Sequence, residues 1–394
     1  LMPLDIPAIQ TALCDDGLDG WLLYDFHGSN EIARQLVGLS GTGKMETRRW
    51  YYLIPAEGEP QGLVHAIERH NLDMLPGSKQ IYADRQQLEV GLRTLVSGQR
   101  RLAMEYSPDC AIPYISRIDA GTVELLRRFN IEPASSGDLV QRFVARWTER
   151  AVASHRKASE RLHRIKDRAF DETGRALRNR TGSTEYELQQ QMVGWFAEEG
   201  LVSDSAPVVA VQEHSGDPHY LPQAHDSQVI SADTLLLLDL WGKLDEPDAV
   251  FADITWVGYT GQSVPKPMQT AFSVIAAARD KAVELIEARV HAEQALMGWE
   301  VDRTAREVIQ LAGYGGWILH RTGHSLGEQV HGDGVHLDDY ETHDDRHLLP
   351  GTGFTIEPGV YSDEFGVRTE INMYIGEQEA LVTGPRQTEI VTLG

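Results

Sequence analysis

The sequence predicts two domains, a smaller α/β domain followed by an α+β domain. The chain has 394 residues, which is more than a single hydrophobic core usually supports. Up to about residue 138, short apolar runs alternate with turn-forming stretches, as strands alternate with helices in an α/β domain. Beyond residue 200, strand-like runs are followed by helical segments and then by further strand-like runs. We therefore expect domains at 1–138 and 139–394.

Five apolar runs mark the strands of the first domain: GWLLYDF, RRWYYLIPAEGEP, GLVHAI, KQIYAD and RRLAMEY. From Leu139 to Asn179, apolar residues recur at spacings of three and four, which predicts long charged helices near the domain junction. A further helix follows. Thr184 and Glu187 form a capping box at its start, and Gly200 supplies the stop.

The second domain is expected to be built on a sheet. Its strand candidates are VVAVQ, TLLLLDLW, ADITWVGYT, GFTIEPGVY and GVRTEINMYIG, and two helical segments separate the third from the fourth. Side chains alternate between the two faces of a strand, so Arg368, Glu370 and Asn372 share one face. By the same rule Asp253 lies with Thr255. The pattern predicts a polar face inside a sheet-rich domain.

Composition excludes several classes of partner. The chain carries 36 Lys+Arg against 59 Asp+Glu, a net charge of −23, which disfavours nucleic acid and anionic membranes. No apolar run approaches the about 20 residues of a membrane span. The first residues lack the pattern of a signal peptide. Cys14 and Cys110 show no CxxC spacing, which is typical of a reducing compartment, and we expect a cytoplasmic protein.

Five residues of the second domain could bind divalent metals, which prefer carboxylate oxygens and imidazole. They are Asp239, Asp253, His324, Glu357 and Glu370. Four of the five are acids within otherwise apolar strand-like runs. An isolated buried carboxylate is costly and normally occurs only where a metal, a cation or hydrogen bonds compensate it. This placement predicts a metal site.

The order Asp, Asp, His, Glu, Glu resembles the pita-bread metallopeptidases, a group that includes aminopeptidase P, prolidase and methionine aminopeptidase. The local sequences DIT, HRTGHSLG, TIEPGVY and VRTE carry this resemblance, which covers residues 150–394. It implies a pita-bread catalytic domain, with a curved antiparallel sheet and helices on its outer side. It also implies that the first domain is a creatinase-type α/β domain.

The resemblance further implies two divalent metal ions. Asp239 would be a terminal ligand of one ion, and His324 and Glu357 terminal ligands of the other. Asp253 and Glu370 would bridge the pair. Manganese is the first choice, and cobalt, zinc and iron also suit this set of ligands.

The resemblance assigns roles to six side chains: Glu357, His331, His219, Arg368, Tyr361 and His336. Glu357 would take the proton from a metal-bridging water, which leaves hydroxide as the nucleophile, and hand it to the leaving nitrogen. His331 and His219 would contact substrate and stabilise the tetrahedral intermediate. Arg368 would steady a carboxylate ligand. Tyr361 and His336 would line the pocket. The other histidines nearby, His320 among them, are expected to be structural or peripheral.

The function implied is hydrolysis of Xaa-Pro bonds in dipeptides or short peptides by a homodimeric enzyme. A dipeptidase (prolidase) is preferred because the chain is compact. The alternatives are aminopeptidase P, acting on longer peptides, and a catalytically inactive binding module of the same fold. Two departures from the family pattern leave specificity open. Trp256 follows DIT where many relatives have Arg, and the segment between Asp239 and Asp253 is longer and lacks the usual Asp-x-Gly opening.

Overall fold

The computed structural model describes residues 4–394, which form two compact units that divide between Val144 and Ala145. In the described part of the first unit, the strands form one mixed sheet in the order β4-β3-β2-β1-β5-β6. The strands are β1 (Gly20–Asp25), β2 (Trp50–Pro55), β3 (Gln61–His65), β4 (Ser78–Tyr82), β5 (Arg101–Met104) and β6 (Glu132–Ser135). The helices are α1 (Ile6–Asp15), α2 (Glu31–Leu36), α3 (Arg85–Leu95), α4 (Ala120–Arg128) and α5 (Gly137–Phe143).

Helices cover both faces of this sheet. Trp21 and Leu23 of β1 belong to an apolar cluster with residues of α1, α2 and α5. Leu22 and Tyr24, on the opposite face, belong to a second cluster with residues of α3 and α4. A strand buried on both faces is a nearly continuous apolar run. The α/β class predicted for this part of the chain is therefore observed.

Two helices flank the point at which the units divide. The first, α5, packs Leu139 and Val140 into the core of the first unit, and the predicted domain boundary at 138/139 lies within this helix. The second, α6 (Glu149–Asn179), begins at Thr148, whose side chain accepts a hydrogen bond from the backbone N–H of Ala151. Thr148 therefore marks the start of α6 as a helix distinct from α5.

The second unit has three further helices: α7 (Glu185–Glu198), α8 (Lys266–His291) and α9 (Gly298–Leu311). The capping box predicted for α7 is confirmed, because Thr184 and Glu187 each accept a hydrogen bond from the other's backbone N–H. The predicted stop is observed too: the chain turns at Gly200, where φ is +65° and glycine carries no steric penalty. Among the helices of residues 4–394, none has the apolar length that crossing a bilayer requires.

The second unit contains two larger sheets and a hairpin. One sheet has the order β17-β10-β9-β7, with β8 also paired to β9, and the other has the order β11-β12-β15-β16. The first comprises β7 (Leu201–Val202), β8 (Val208–Val211), β9 (Leu235–Leu244), β10 (Ala252–Tyr259) and β17 (Val391–Thr392). The second comprises β11 (Ser325–Leu326), β12 (Gly353–Ile356), β15 (Ile371–Ile375) and β16 (Ala380–Val382), and the hairpin pairs β13 (Gly359–Tyr361) with β14 (Gly366–Arg368).

The two faces of β9 have different neighbours. Leu236 and Leu238 pack in a cluster with residues of α6 and α7. Leu235 and Leu237 pack on the other face, in a cluster that includes residues of β12 and β15. Asp239 shares this second face, since side chains alternate along a strand. The strand therefore directs its carboxylate away from α6 and α7.

Two strands that the sequence predicts as continuous are broken in the structure. Pro358, which has no N–H to donate, separates β12 from β13. The chain also changes partner between β14, which pairs with β13, and β15, which pairs with β12. Glu357 and Glu370 lie at these two breaks. At each break a glutamate lies outside the strands, so its side chain does not have to follow the alternation of strand side chains between the two faces of a sheet.

Candidate metal centre

Asp239 and Asp253 lie on adjacent antiparallel strands. In the register of β9 and β10, Asp239 is opposite Thr255 and Trp241 is opposite Asp253. Directly opposed residues project from the same face of a sheet, so all four side chains share one face. The two aspartate side chains are only 13% and 7% exposed, and both carboxylates are therefore largely removed from water.

His324 and Glu357 approach this face from the second sheet. His324 Nε2 lies 3.5 Å from Asp253 Oδ2 and 3.5 Å from Glu357 Oε1. Thr355 of β12 fixes both residues: its Oγ1 accepts from the backbone N–H of His324 at 3.0 Å and donates to Glu357 Oε1 at 3.2 Å. One hydroxyl group, that of Thr355, therefore positions both His324 and Glu357.

Glu370 and Arg368 complete the cluster. Thr255 Oγ1 donates to Glu370 Oε2 at 2.7 Å and accepts from Arg368 Nε at 2.9 Å. Arg368 Nη2 donates to Asp239 Oδ2. Asn372, also expected on this face, bonds to the backbone of Asp253 through both atoms of its amide. The predicted polar face is observed despite the break in the strand.

The structure brings together all five residues that the sequence predicts as ligands. Within residues 4–394, ligand-type atoms of Asp253, His324 and Glu370 lie within 4.8 Å of one another. Glu357 joins this group through the 3.5 Å approach to His324. Asp239 joins through Arg368 and through the shared face with Asp253. These residues come from segments up to 131 positions apart in the chain.

The hydrogen bonding of His324 determines which ring nitrogen is free. Its Nδ1 lies 3.1 Å from the carbonyl oxygen of Ser325, and because a carbonyl can only accept, Nδ1 carries the proton. Burial lowers the pKa of His324 to about 3, so the ring is neutral near pH 7 and Nε2 presents a lone pair. That lone pair faces oxygens of Asp253 and Glu357. The arrangement is repulsive unless a cation lies between them.

The carboxylates also fit a cation. Asp253 Oδ1 and Glu370 Oε1 are buried and have no hydrogen-bond partner among the described residues. Burial, followed by repulsion from neighbouring carboxylates, raises the pKa of Asp253 and of Glu370 well above the ordinary values. A set of oxygen atoms and one imidazole nitrogen suits manganese, iron, cobalt or zinc. The residues present therefore fit a divalent metal centre.

Arg368 is held by a chain of hydrogen bonds with a defined direction. Its Nη1 donates to the Tyr361 hydroxyl at 3.1 Å, and that hydroxyl lies 2.7 Å from His320 Nε2. His320 Nδ1 is 2.7 Å from the carbonyl of Arg321 and must donate to it, so Nε2 accepts the Tyr361 proton. Burial lowers the pKa of His320 to about 4. The ring is therefore neutral near pH 7, and Nε2 accepts the hydrogen bond from the Tyr361 hydroxyl. The sequence predicts only a structural or peripheral role for His320, although it lies four residues before His324.

His331 lies against His324. Their ring centroids are 4.3 Å apart and the rings are nearly perpendicular. Burial, followed by the charges of Arg321 and His219, lowers the pKa of His331 to about 4. His331 is therefore neutral near pH 7 and able to donate one N–H. His219 is exposed, in a loop where its backbone N–H bonds to Asp217 Oδ1 at 2.9 Å.

His336 is fully buried behind His324. Its Nδ1 accepts from the backbone N–H of Ser325 at 3.1 Å. The same Ser325 supplies the carbonyl that bonds His324 Nδ1. His336 thus braces the backbone that orients His324.

The model of metallopeptidase family M24 matches residues 157–377, more than half of the chain. This chain belongs to metallopeptidase family M24. The matched region contains Asp239, Asp253, His324, Glu357 and Glu370. The family recognised from the five-residue pattern is therefore confirmed.

Several curated M24 relatives are named as dipeptidases. The chain is similar to the Xaa-Pro dipeptidase of Lactobacillus delbrueckii subsp. lactis, with 31% identity over 226 residues, 57% of this chain and 55% of that protein. It is also similar to the probable dipeptidase PepE of Mycobacterium tuberculosis strain H37Rv, with 25% identity over 262 residues, 66% of this chain and 64% of that protein. The matches span about half to two thirds of the length of these relatives.

Solved structures confirm the predicted fold. Dipeptidase PepE from Mycobacterium ulcerans superposes with a TM-score of 0.72 at 21% identity, covering 98% of this chain and 96% of that one. Prolidase from Thermococcus sibiricus gives a TM-score of 0.65 at 20% identity, covering 98% of each chain. X-Pro aminopeptidase from Thermotoga maritima gives 0.61 at 20% identity, covering 98% of this chain and 99% of that one. The M24 chain has the pita-bread fold, preceded by an α/β domain.

Trp256, one departure from the usual M24 pattern, faces away from the metal centre. It pairs with Leu238 on β9, which places it on the face covered by α6. Lys166 Nζ lies 3.8 Å from the centroid of the Trp256 ring, and His163 contacts the ring edge-on with centroids 5.7 Å apart. This substitution therefore leaves the carboxylate cluster untouched.

The loop that carries His219 in this M24 chain is ordered around a buried glutamate. Glu185, at the start of α7, accepts from the backbone N–H groups of Val211 at 2.7 Å and Gln228 at 2.9 Å. It also accepts from the Tyr220 hydroxyl at 2.6 Å and lies 3.0 Å from His214 Nδ1. Val211 and His214 precede His219 in the sequence, and Tyr220 and Gln228 follow it. One carboxylate thus shapes the whole segment.

Proposed function

We propose that this chain is a metal-dependent Xaa-Pro dipeptidase, a prolidase. The observation that carries the proposal is the buried cluster of Asp253, His324 and Glu370, with two carboxylate oxygens that lack a partner among residues 4–394. The M24 membership points to peptide hydrolysis. The similarity to a Xaa-Pro dipeptidase favours bonds that precede proline.

Two divalent cations would be held by the five residues of the cluster, with Asp253 and Glu370 shared between them. Manganese is the cation we propose, because oxygen-rich sites with one imidazole accept it well. When bound, the cations polarise the peptide carbonyl and make water acidic enough to react at neutral pH. Arg368 donates a hydrogen bond to Asp239 and so restrains the orientation of its carboxylate.

Glu357 is the residue we propose for proton transfer. Its side chain is 14% exposed, and its Oε1 accepts a hydrogen bond of 3.2 Å from Thr355. An accessible carboxylate at the edge of the cluster can take a proton from attacking water. It can then return that proton to the proline nitrogen as the bond breaks.

His331 and His219 are the residues we propose for stabilising the developing oxyanion. A neutral imidazole donates one N–H, and the low pKa of His331 keeps it in that form. A donor aimed at an oxyanion typically contributes about 3 kcal/mol to lowering the barrier. The exposed position of His219 allows it to approach a substrate from the solvent side.

We also propose that the protein acts as a homodimer in the cytoplasm. The two cysteines, Cys14 and Cys110, are exposed and unpaired, which suits a reducing compartment. Light scattering coupled to size-exclusion chromatography would measure the mass of the assembly directly. A monomeric mass at micromolar concentration would refute the dimer.

The function is tested with metal-stripped protein reconstituted with manganese. Hydrolysis of Ala-Pro, Ala-Pro-Ala and Ala-Ala is compared under identical conditions. Cleavage confined to Ala-Pro would establish the dipeptidase, and preference for Ala-Pro-Ala would assign the chain as an X-Pro aminopeptidase. Failure on all three with manganese, cobalt, zinc and iron, despite bound metal, would favour a binding module.

A further inference from the structure

Trp241 projects from the same sheet face as the metal centre. It lies two residues after Asp239 on β9 and directly opposite Asp253 on β10. Directly opposed residues have Cβ atoms about 5 Å apart. The indole is therefore a neighbour of the carboxylate cluster, and a ligand extending from the cluster along β9 and β10 would meet it.

The orientation of Trp241 is fixed. Its Nε1 donates to Asp204 Oδ1 at 2.6 Å, and its ring packs at the edge of two apolar clusters. The side chain nevertheless remains partly exposed. This tryptophan is held by a hydrogen bond and by apolar packing while part of its ring stays exposed, and the exposed part can contact a ligand.

The loop that carries Glu328, Val330 and His331 contacts the same face of β9. Lys243, the next residue on this face of β9, donates from Nζ to the carbonyl oxygen of Glu328 at 2.6 Å. Val330, from the same loop, packs against the apolar cluster that Trp241 also contacts. His331 follows immediately. Trp241 and this loop therefore pack against one apolar cluster, next to His331.

This arrangement departs from the Asp-x-Gly opening of the family pattern, in which the residue two positions after the first aspartate has no side chain. Here that position holds the largest side chain in proteins. A bulky aromatic group beside Asp253 must change the shape and the polarity of the space available to substrate.

We propose that Trp241 determines specificity by forming an apolar wall of the substrate site. This wall favours peptides with an apolar side chain flanking the scissile bond, because such a side chain loses contact with water when it packs on the indole. Glycine in the same position offers no such contact. The inference rests on the proposed function and adds the class of side chain that the site selects.

The test compares kcat and KM for Gly-Pro, Ala-Pro, Leu-Pro and Phe-Pro in the manganese-loaded enzyme. We expect Trp241→Ala to reduce the preference for Leu-Pro over Gly-Pro by about tenfold or more, the scale on which hydrophobic pockets discriminate. Trp241→Phe should keep most of the preference. Trp256→Phe is the matched control, because that ring lies on the opposite face.

Asp204, which accepts the hydrogen bond from the Trp241 indole, provides a second pair of variants in which the indole is kept. Asp204→Asn retains an oxygen that accepts from Trp241 and should preserve the preference, whereas Asp204→Ala should weaken it. Metal content measured by atomic emission should be equal in all variants, which separates substrate selection from metal binding. If either Trp241→Ala or Asp204→Ala fails to fold, the other variant still gives the comparison.

The affinities of metal-free protein for Leu-Pro and Gly-Pro, measured by calorimetry, test the inference without any cleavage of peptide. If the wild type binds Leu-Pro more tightly and Trp241→Ala does not, Trp241 selects the ligand even when no peptide is cleaved. If the manganese-loaded enzyme cleaves none of these peptides but this difference in binding is observed, the proposed function fails and this inference stands. An unchanged Leu-Pro to Gly-Pro ratio in Trp241→Ala, in binding or in kcat/KM, would overturn it.

Discussion

Arg368 donates a hydrogen bond to Asp239 inside the carboxylate cluster and is itself held by the Tyr361 hydroxyl at 3.1 Å. The guanidinium thus introduces a fixed positive charge among acidic groups. Together with the bond from its Nε to Thr255 Oγ1, these contacts leave the side chain little freedom, because a planar guanidinium bonds through a rigid fork. The position of Asp239 therefore depends on a tyrosine at the far end of the hairpin.

Replacing Tyr361 by phenylalanine should lower kcat about tenfold with little change in fold. The variant removes the proton that His320 Nε2 accepts and the oxygen that Arg368 contacts. Groups that orient metal ligands in this way typically affect activity or metal affinity by about 10–100-fold. Steady-state kinetics and manganese titration would measure both effects. Tyr374→Phe, which alters a ring stacked on Trp147, is the control and should behave as wild type.

Asp253→Asn should abolish most metal binding while leaving the fold intact. Its carboxylate lies 3.5 Å from His324 Nε2 and belongs to the group of ligand-type atoms that also includes Glu370, so we expect activity to fall by about 100-fold. The metal-free variant should melt no lower than metal-free wild type, because removing one charge relieves repulsion. Atomic emission and calorimetry would test both expectations.

The control for that variant is Asp248→Asn, in the exposed turn between β9 and β10. Its φ of +60° is one that asparagine tolerates. It should keep full metal content. Wild-type manganese content in Asp253→Asn would refute the assignment of Asp253 as a ligand.

Glu185→Gln should raise KM more than it lowers kcat. An amide can accept on one oxygen only, so at least one of the backbone N–H groups of Val211 and Gln228 loses its partner. Leaving a buried donor unsatisfied costs about 1–3 kcal/mol, which would loosen the loop that carries His219. Glu198→Gln removes an exposed ion pair with Arg168 and should change neither constant. Equal kinetics for the two variants would argue against an anchoring role.

His155 should make the metal-free protein less stable in acid. It is fully buried, its Nδ1 donates to the carbonyl of Phe251 at 2.8 Å, and burial lowers its pKa to about 4 from 6.5. Between these values the unfolded chain binds the proton and the folded chain does not. This contribution to stability is therefore complete above about pH 6.5 and lost as the pH falls toward 4.

The expected loss is about 2 kcal/mol between pH 7 and pH 5. Urea unfolding of wild type and of His155→Gln at the two pH values would isolate it, since the other titrating groups are common to both proteins. His291→Gln, at the exposed end of α8, is the control and should retain the wild-type dependence. The idea fails if His155→Gln shows the same loss as wild type.

Much of the candidate metal centre could be predicted from the sequence, because its residues stand out locally. Acids within apolar runs, such as Asp253 in FADITW, are conspicuous wherever they lie in the chain. His320 was not recognised because its role depends on Tyr361, 41 positions later. A hydrogen bond between residues so far apart leaves no trace in the local pattern.

The sequence by itself determined the family, the two-domain architecture and the five acidic and imidazole groups that meet in one cluster. These follow from periodicity, capping and the order of chemically distinctive residues, all of which act over short stretches. Only the tertiary structure decided that Trp241 faces the cluster while Trp256 faces α6, and that His320 supports Arg368 through Tyr361. The register between strands and the packing of distant segments set these contacts, and both arise only when the chain is folded.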